Sequence, residues 1–322
     1  MLDACEIAEG GRNATSRLQS ARSSVLTMAR EFIELQLMPT QEDRLRIAVA
    51  QTQVSFDPRV NGAAIRAQMR EAADAGARLI QFTEGAMSGY PSGPGKQALA
   101  GWNVDWEALR EELETTAALA ADLRLWTIVG SNHPLTPPNR PHNSLYVISD
   151  EGALAGRYDK RLLSYTEVTD WYAPGSRFLT FDVDGFRFGC VLCIEIQFPE
   201  LFVEYARESV DVVLLSTFSR DPMFAIQAQG HAACGAFWLG FSTPSQCSVA
   251  APSGLIEPDG RWVSKAPSAG SSALVIADLD RPSPALSGAL EYARPWRARA
   301  RTGELHQQAR VNDPRSADLS RF

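Results

Sequence analysis

Apolar and polar positions alternate with a period of two along 186–192, where Phe186, Phe188, Cys190 and Leu192 interleave with Arg187, Gly189 and Val191. That spacing predicts a strand packed mainly on one face. The run gives way at Cys193, turns polar at Glu195 and Gln197, and resumes after Pro199 with Leu201, Phe202, Tyr205 and Ala206 at helical spacing. Proline suits the first turn of a helix. The pattern therefore predicts a strand, a sharp turn carrying Cys193, and a helix.

The same reading extends along the chain. LRIAVAQTQV from Leu45 predicts a strand, and Ile65, Met69, Ala72 and Ala73 predict an amphipathic helix over 61–77 closed by Gly76. A strand over 79–83 delivers Glu84, and a helix over 106–123 leads to a strand over 125–130. This alternation is the mark of an α/β fold. After a proline-rich loop, SLYVIS and ALAGRYD form an expected hairpin turning at Asp150, Glu151 and Gly152 and ending at Lys160. Strands are expected over 177–183 and 186–192 around Asp184-Gly185, over 211–217, 237–241 and 246–250, and over 273–280. A helix is expected over 223–234, and SGLIEPDGRWVSKAP reads as a further hairpin.

Two ends differ from this body. In residues 1–44, Leu18, Ala21, Val25, Met28, Phe32 and Leu35 fall on one face of an expected helix closed at Pro39. We read this segment as an extension, with a targeting or docking helix as the competing reading; it has no apolar run suited to a signal peptide or membrane span. The tail over 281–322 is rich in proline and arginine. The expected division is thus an extension over 1–44, one domain over 45–280 and a C-terminal arm over 281–322.

Composition narrows the function. A chain of 322 residues with 45% hydrophobic content can bury a sizeable core. The net charge of -7, with no long basic run, argues against nucleic acid and leaves a small molecule as the expected partner. Five scattered cysteines suit a reducing compartment, so a cytoplasmic location is expected. Cys190 and Cys193 form a C-x-x-C, but Cys190 sits inside the strand, where residues three apart face opposite ways. Redox chemistry is therefore disfavoured, and so is zinc, because His133, His142, His231 and His306 show no ligand spacing around the pair.

Cys193 at the end of an apolar run is either a buried core thiol or a nucleophile lifted clear of a sheet, with free N–H groups of the following turn nearby. Two further stretches bear on that choice: LIQFTEGAMSGYP over 79–91, with Glu84 after a strand, and GRYDKRLLSYTEVTDWYAPG over 156–175, with Lys160 after a strand. A glutamate, a lysine and a cysteine in this order, each at the end of an apolar run, resemble the nitrilase superfamily of carbon-nitrogen hydrolases. The likeness runs from about Leu45 to about Leu305 and includes NSLYVISDEGALAGRYDK before the lysine.

The resemblance implies a four-layer α-β-β-α sandwich and an enzyme that hydrolyses carbon-nitrogen bonds other than peptide bonds. It implies Glu84 as proton acceptor and donor, Cys193 as nucleophile, and Lys160 with the Ile194 N–H as the groups that hold developing negative charge. No cofactor or metal is needed in that scheme. A second family glutamate is matched best by Glu167, with Asp170 as its rival. Tyr90, Trp171, Tyr172 and the segment around Phe218 and Arg220 are expected pocket walls, and Glu195 is expected to be structural or substrate-facing. Relatives pair subunits through outer helices and the C-terminal arm, so a homodimer or larger homo-oligomer is expected, with Tyr292, Pro295 and Trp296 near the interface. Two positions depart from the family pattern. Thr83 stands where many relatives carry proline, which is expected to loosen Glu84, and Ile194 stands where nitrile-cleaving members carry tryptophan. The latter favours a small amide or N-carbamoyl substrate over a nitrile, with a soluble acyltransferase and a non-catalytic binding protein as further alternatives.

Overall fold

The computed structural model describes residues 43–91 and 104–320, so the helix expected before Pro39 lies outside the described residues. Among these residues the backbone forms two six-stranded sheets. The first contains β1 (Arg44–Gln51), β2 (Leu79–Gln81), β3 (Trp126–His133), β4 (His142–Ile148) and β5 (Leu154–Asp159), with β12 (Ala273–Asp280) beside β1. The second runs β11-β10-β9-β8-β7-β6, from β6 (Thr180–Val183), β7 (Phe186–Leu192), β8 (Val212–Ser216), β9 (Trp238–Ser242), β10 (Gly254–Ile256) and β11 (Trp262–Lys265). In each sheet three central strands are parallel, β1-β2-β3 and β7-β8-β9, and the outer strands are antiparallel. Parallel strands deliver their following loops to one edge, where α/β folds gather reactive groups.

Strand periodicity explains the layers. Phe186, Phe188, Cys190 and Leu192 point between the sheets, where they meet Ile47, Leu79, Ile128, Leu145 and Val147 of the first sheet. The alternate residue Val191 faces outward onto α3 (Pro199–Arg207) and α4 (Met223–Gly235), with Leu201, Phe202, Tyr205, Phe224 and Ala228. On the far side, Ile65, Met69 and Ala72 of α1 (Pro58–Asp74) and Leu109 of α2 (Trp106–Leu123) cover Ala48, Ile80, Phe82 and Val129. The result is the α-β-β-α sandwich. Asp57 starts α1 by accepting from the Arg59 N–H ahead of Pro58, and Asp105 starts α2 by accepting from the Ala108 N–H.

Apolar contact alone does not set the register of the two sheets at their reactive edge. Gln81 Nε2 donates to Ser216 Oγ and to the Gly240 carbonyl, both at 3.2 Å, while Ser216 Oγ donates to the Phe82 carbonyl at 2.7 Å. Thr83 Oγ1 donates to the Thr217 carbonyl at 2.6 Å and Ser242 Oγ to the Ala50 carbonyl at 2.7 Å. All these side chains are buried, and buried polar groups are tolerated where they are hydrogen-bonded. Thr83 thus ties the strand before Glu84 to the opposite sheet, contrary to the expectation that it loosens that residue.

One strand differs from the sequence expectation. The strand expected over 246–250 is a tight turn beginning at Ser245–Cys247; Gln246 spends its side chain on the backbone of Val54, accepting from its N–H at 3.3 Å and donating to its carbonyl at 2.7 Å. Side-chain bonds replace a strand ladder there. The C-terminal arm is helical over Gly288–Ala293 and α5 (Arg294–Arg301). Arg294 and Arg281 reach the Asp211 carboxylate at 2.8 and 2.9 Å, anchoring the arm, while Tyr292 and Trp296 are exposed. No helix among the described residues is long and apolar enough to cross a membrane.

Gly130 of β3 passes under the Glu84 turn. A Cβ there would stand 2.1 Å from the Thr83 carbonyl oxygen and 2.7 Å from the Gly85 nitrogen. Gly130→Ala must therefore displace the backbone on both sides of Glu84, and any activity that depends on Glu84 is expected to fall about 100-fold, the scale of an ångström of misplacement. Steady-state kinetics with thermal unfolding check this; an alanine variant of wild-type activity contradicts the close approach.

Candidate active site

Three of the expected residues follow strands at the same edge. Glu84 follows β2, Lys160 follows β5 and Cys193 follows β7. Lys160 Nζ lies 3.0 Å from Glu84 Oε1 and 2.7 Å from Glu167 Oε1, all three side chains being buried. Its backbone is held as well: the Lys160 N–H donates to the Asn143 carbonyl and the Gly175 N–H to the Lys160 carbonyl, both at 2.8 Å. Asp170 is exposed, whereas Glu167 is the carboxylate on the lysine. Glu167 opens a π turn, Glu167–Trp171, and accepts further bonds from Tyr90 OH at 3.0 Å and the Ser164 N–H at 2.8 Å.

Cys193 joins this group through two consecutive residues after β8. Thr217 Oγ1 lies 3.2 Å from Cys193 Sγ as a donor, and the next N–H, that of Phe218, donates to Glu84 Oε2 at 2.9 Å. Cys193 itself has φ 49°, a left-handed conformation rare for a residue with a side chain, at the start of the tight turn Cys193–Gln197. Such backbone strain is concentrated at functional positions. Cys190 points into the layer between the sheets and Cys193 into the outer one; both thiols are free.

Burial governs the protonation states. It pushes the Glu84 carboxyl above the ordinary value, with Glu167 adding to the rise and Lys160 opposing it. Burial acts on Glu167 in the same sense, but Lys160, the Ser164 N–H and Tyr90 OH outweigh it and hold that carboxyl below the ordinary value. For Lys160, burial opposes the charge and the two glutamates overcome it, so the ammonium is retained. Burial, with the Glu84 and Glu167 charges, pushes the Cys193 thiol up against the opposing pull of Lys160 and Thr217. The resting group is therefore a neutral thiol beside a carboxylate of raised basicity. That combination suits proton transfer from sulfur to Glu84.

The expected wall residues divide. Tyr90 stacks on Phe218 with ring centroids 5.2 Å apart and meets Trp171 edge-on at 6.2 Å, so these three rings flank Glu167 and Glu84. Ile194, the residue after Cys193, is half-buried. Tyr172 is buried and donates to Asn132 Oδ1 at 3.1 Å. Glu195 is not open to a ligand: its buried carboxylate accepts from Tyr158 OH at 2.9 Å, from the Arg161 and Leu162 N–H groups at 2.7 and 3.0 Å, and from the Leu192 N–H at 2.8 Å. Its placement corrects the substrate-facing expectation, because a carboxylate saturated by main-chain donors has no lone pair left to offer.

Sequence reasoning missed Asn143 and Thr217. Asn143 Nδ2 donates to Glu84 Oε1 at 2.8 Å and reaches Glu167 Oε1 at 3.4 Å, bridging the two carboxylates. The available signal was a polar residue at the start of β4, the first strand of the hairpin whose second strand ends at the lysine. A cavity of about 660 Å³ between α2 and β3–β5, lined by Trp106, Leu109, Leu113, Tyr146 and Leu154, is separate from these groups.

The model of the carbon-nitrogen hydrolase family matches residues 46–285. The chain belongs to that family. Among curated proteins, a hydrolase of Mycobacterium tuberculosis is 28% identical over 179 residues, 52% of this chain and 59% of its own length. A nitrilase of Bradyrhizobium diazoefficiens is 28% identical over 189 residues, covering 52% of this chain and 57% of its own. The chain thus spans little more than half the length of these curated relatives. An (R)-stereoselective amidase of Pseudomonas is 34% identical over 83 residues, 26% of this chain and 30% of its own. An amidase from Nesterenkonia has the same fold, with TM-score 0.67 at 18% identity, over 84% of this chain and 97% of that one. Carbon-nitrogen hydrolases of the nitrilase superfamily are the setting in which the Glu84, Lys160 and Cys193 cluster is to be read.

Proposed function

We propose that this protein is a cysteine-dependent hydrolase that cleaves a small amide or N-carbamoyl compound and releases ammonia or an amine. One observation carries the reading: the consecutive residues Thr217 and Phe218 bind the Cys193 sulfur and the Glu84 carboxylate, whose other oxygen receives Lys160. In the reaction, Glu84 takes the proton from Cys193, and the sulfur forms a bond to the substrate carbonyl carbon as the carbonyl π pair moves onto oxygen. Lys160 and the Ile194 N–H hold that oxygen. The oxyanion then collapses, the carbon-nitrogen bond breaks, and Glu84 returns its proton to the departing nitrogen. Water, deprotonated by the same Glu84, attacks the thioester and expels the thiolate, which is reprotonated. Glu167 keeps Lys160 charged and in position throughout.

Relatives of both chemistries exist, since one matched protein is named a nitrilase and another an amidase. A Nesterenkonia amidase variant, 17% identical with TM-score 0.68 over 85% of this chain and 99% of that one, is described as carrying the acetamide moiety of fluoroacetamide on its active-site cysteine. This supports a sulfur nucleophile at the corresponding edge. Ile194 after the cysteine favours amides. Matched amide and nitrile pairs, assayed for ammonia release alongside carbamoyl amino acids, test the choice: amide or carbamoyl turnover is expected, and nitrile turnover without amide turnover overturns it.

A further inference from the structure

Glu195 has no part in the reaction written above, yet it is a fully buried carboxylate lying between the segment that carries the Lys160 ammonium and the segment that carries the Cys193 sulfur. We propose that Glu195 is a positioning residue that sets the separation of Cys193 from Lys160 and holds the Cys193 turn in its left-handed conformation. The inference rests on the thioester reading. Its support is the pattern of hydrogen bonds. Tyr158, two residues before Lys160, donates its hydroxyl to both carboxylate oxygens at 2.9 Å. The N–H groups of Arg161 and Leu162, the two residues after Lys160, donate to Oε1 at 2.7 and 3.0 Å. The Leu192 N–H, one residue before Cys193, donates to Oε2 at 2.8 Å. One side chain therefore grips the main chain just after the lysine and immediately before the cysteine, and the Tyr158 hydroxyl two residues before the lysine, while its own backbone lies two residues after that cysteine.

The chemistry of these partners explains why the residue is an acid. Every group that meets the side chain is a donor, so two oxygens acting as acceptors complement them fully. A glutamine of the same shape offers one acceptor and turns an NH₂ group against at least one donor. Cys193 at φ 49° is a conformation that the surrounding structure must impose. The bond from Leu192 to Oε2 closes the turn directly across Cys193. Loosening it lets the sulfur relax away from Glu84 and Lys160 while the aromatic walls at Tyr90, Trp171 and Phe218, which Glu195 does not touch by hydrogen bond, stay in place. The expected defect is therefore in acylation and not in binding.

Glu195→Gln, Glu195→Asp and Tyr158→Phe test this against wild type, with two readouts: steady-state kinetics on the best amide, and the rate at which iodoacetamide alkylates Cys193, followed by digestion and fragment-level mass mapping that separates it from Cys190 and the exposed Cys234, on protein shown to be folded by circular dichroism. For Glu195→Gln, kcat is expected to fall about 100-fold with KM within about threefold, and alkylation to slow about tenfold or more. Tyr158→Phe keeps the main-chain bonds and is expected to lose about fivefold in both rates. A Glu195→Gln enzyme within threefold of wild type in kcat, or one whose loss lies in KM alone, overturns the proposal. Should Glu195→Gln not accumulate as folded protein, Glu195→Asp and Tyr158→Phe decide: slowed alkylation supports the positioning role, and wild-type rates in both overturn it. Alkylation reads the Cys193 turn without any substrate, so failure of the hydrolase reading, seen as no turnover by wild type, is distinguishable from failure of this one.

Discussion

Glu84→Gln will stop the reaction while leaving the fold standing. Burial, reinforced by Glu167, already disfavours the Glu84 negative charge, so a neutral side chain of the same shape removes a desolvation cost along with its hydrogen bonds. The Lys160 and Glu167 charges remain paired at 2.7 Å. We expect stability to change by no more than about 1–2 kcal/mol and hydrolysis to fall about 10³-fold or more, since neither the thiol nor the water has its base. Unfolding curves beside kcat measurements check both parts. The same shift has a pH signature. Glu84 must be ionised to accept the proton, its ionised fraction rises with pH through its own pKa, and that pKa is raised. The acid limb of kcat/KM in the wild type should therefore lie above the ordinary glutamate value of 4.5. Lys160 is held protonated by its two glutamates, so it should not produce an alkaline limb near neutrality. An acid limb at or below the ordinary value contradicts the assignment of Glu84 as base.

Lys160→Met should cost both activity and stability. It leaves Glu84 and Glu167 buried without the ammonium that lies 3.0 and 2.7 Å from them, and removing one partner of a buried ion cluster destabilises by about 3–5 kcal/mol. A second substitution separates the two losses. In Lys160→Met with Glu167→Gln, one of the stranded charges is gone, so much of the stability should return, while hydrolysis stays down because nothing replaces the ammonium at the developing oxyanion. Thermal denaturation and activity of the single and double variants measure this. Recovery of turnover in the double variant would show that Lys160 acts only as a structural counter-ion.

Much of this arrangement is legible in the sequence because it rests on local periodicity. Phe186 to Leu192 reads as a strand since its alternate residues face a common apolar layer, and Ile65, Met69 and Ala72 read as a helix face for the same reason. The Cys193 turn is announced by the change from apolar to polar and by Pro199. What the sequence conceals is pairing between distant polar residues. Nothing near Thr83 signals that its hydroxyl will find the Thr217 carbonyl 134 positions away, or that Asn143 will bridge Glu84 and Glu167. Glu195 is misread for a related reason: a charge two residues after a nucleophile suggests a ligand contact, and only the arrival of Arg161 and Leu162 from the loop after β5 shows that its oxygens are occupied. The turn at Ser245–Cys247 escapes because its β-like residues spend their side-chain hydrogen bonds on Gln53 and Val54.

The central claim is that the sulfur of Cys193 becomes acylated by the substrate. Acid-quenched wild-type protein taken during turnover of its best amide, digested and mapped by mass, should carry the acyl group on the peptide containing Cys193, and Cys193→Ala should carry none and release no ammonia. Turnover by Cys193→Ala at a wild-type rate, or an acyl group mapped to a different residue, would contradict the account.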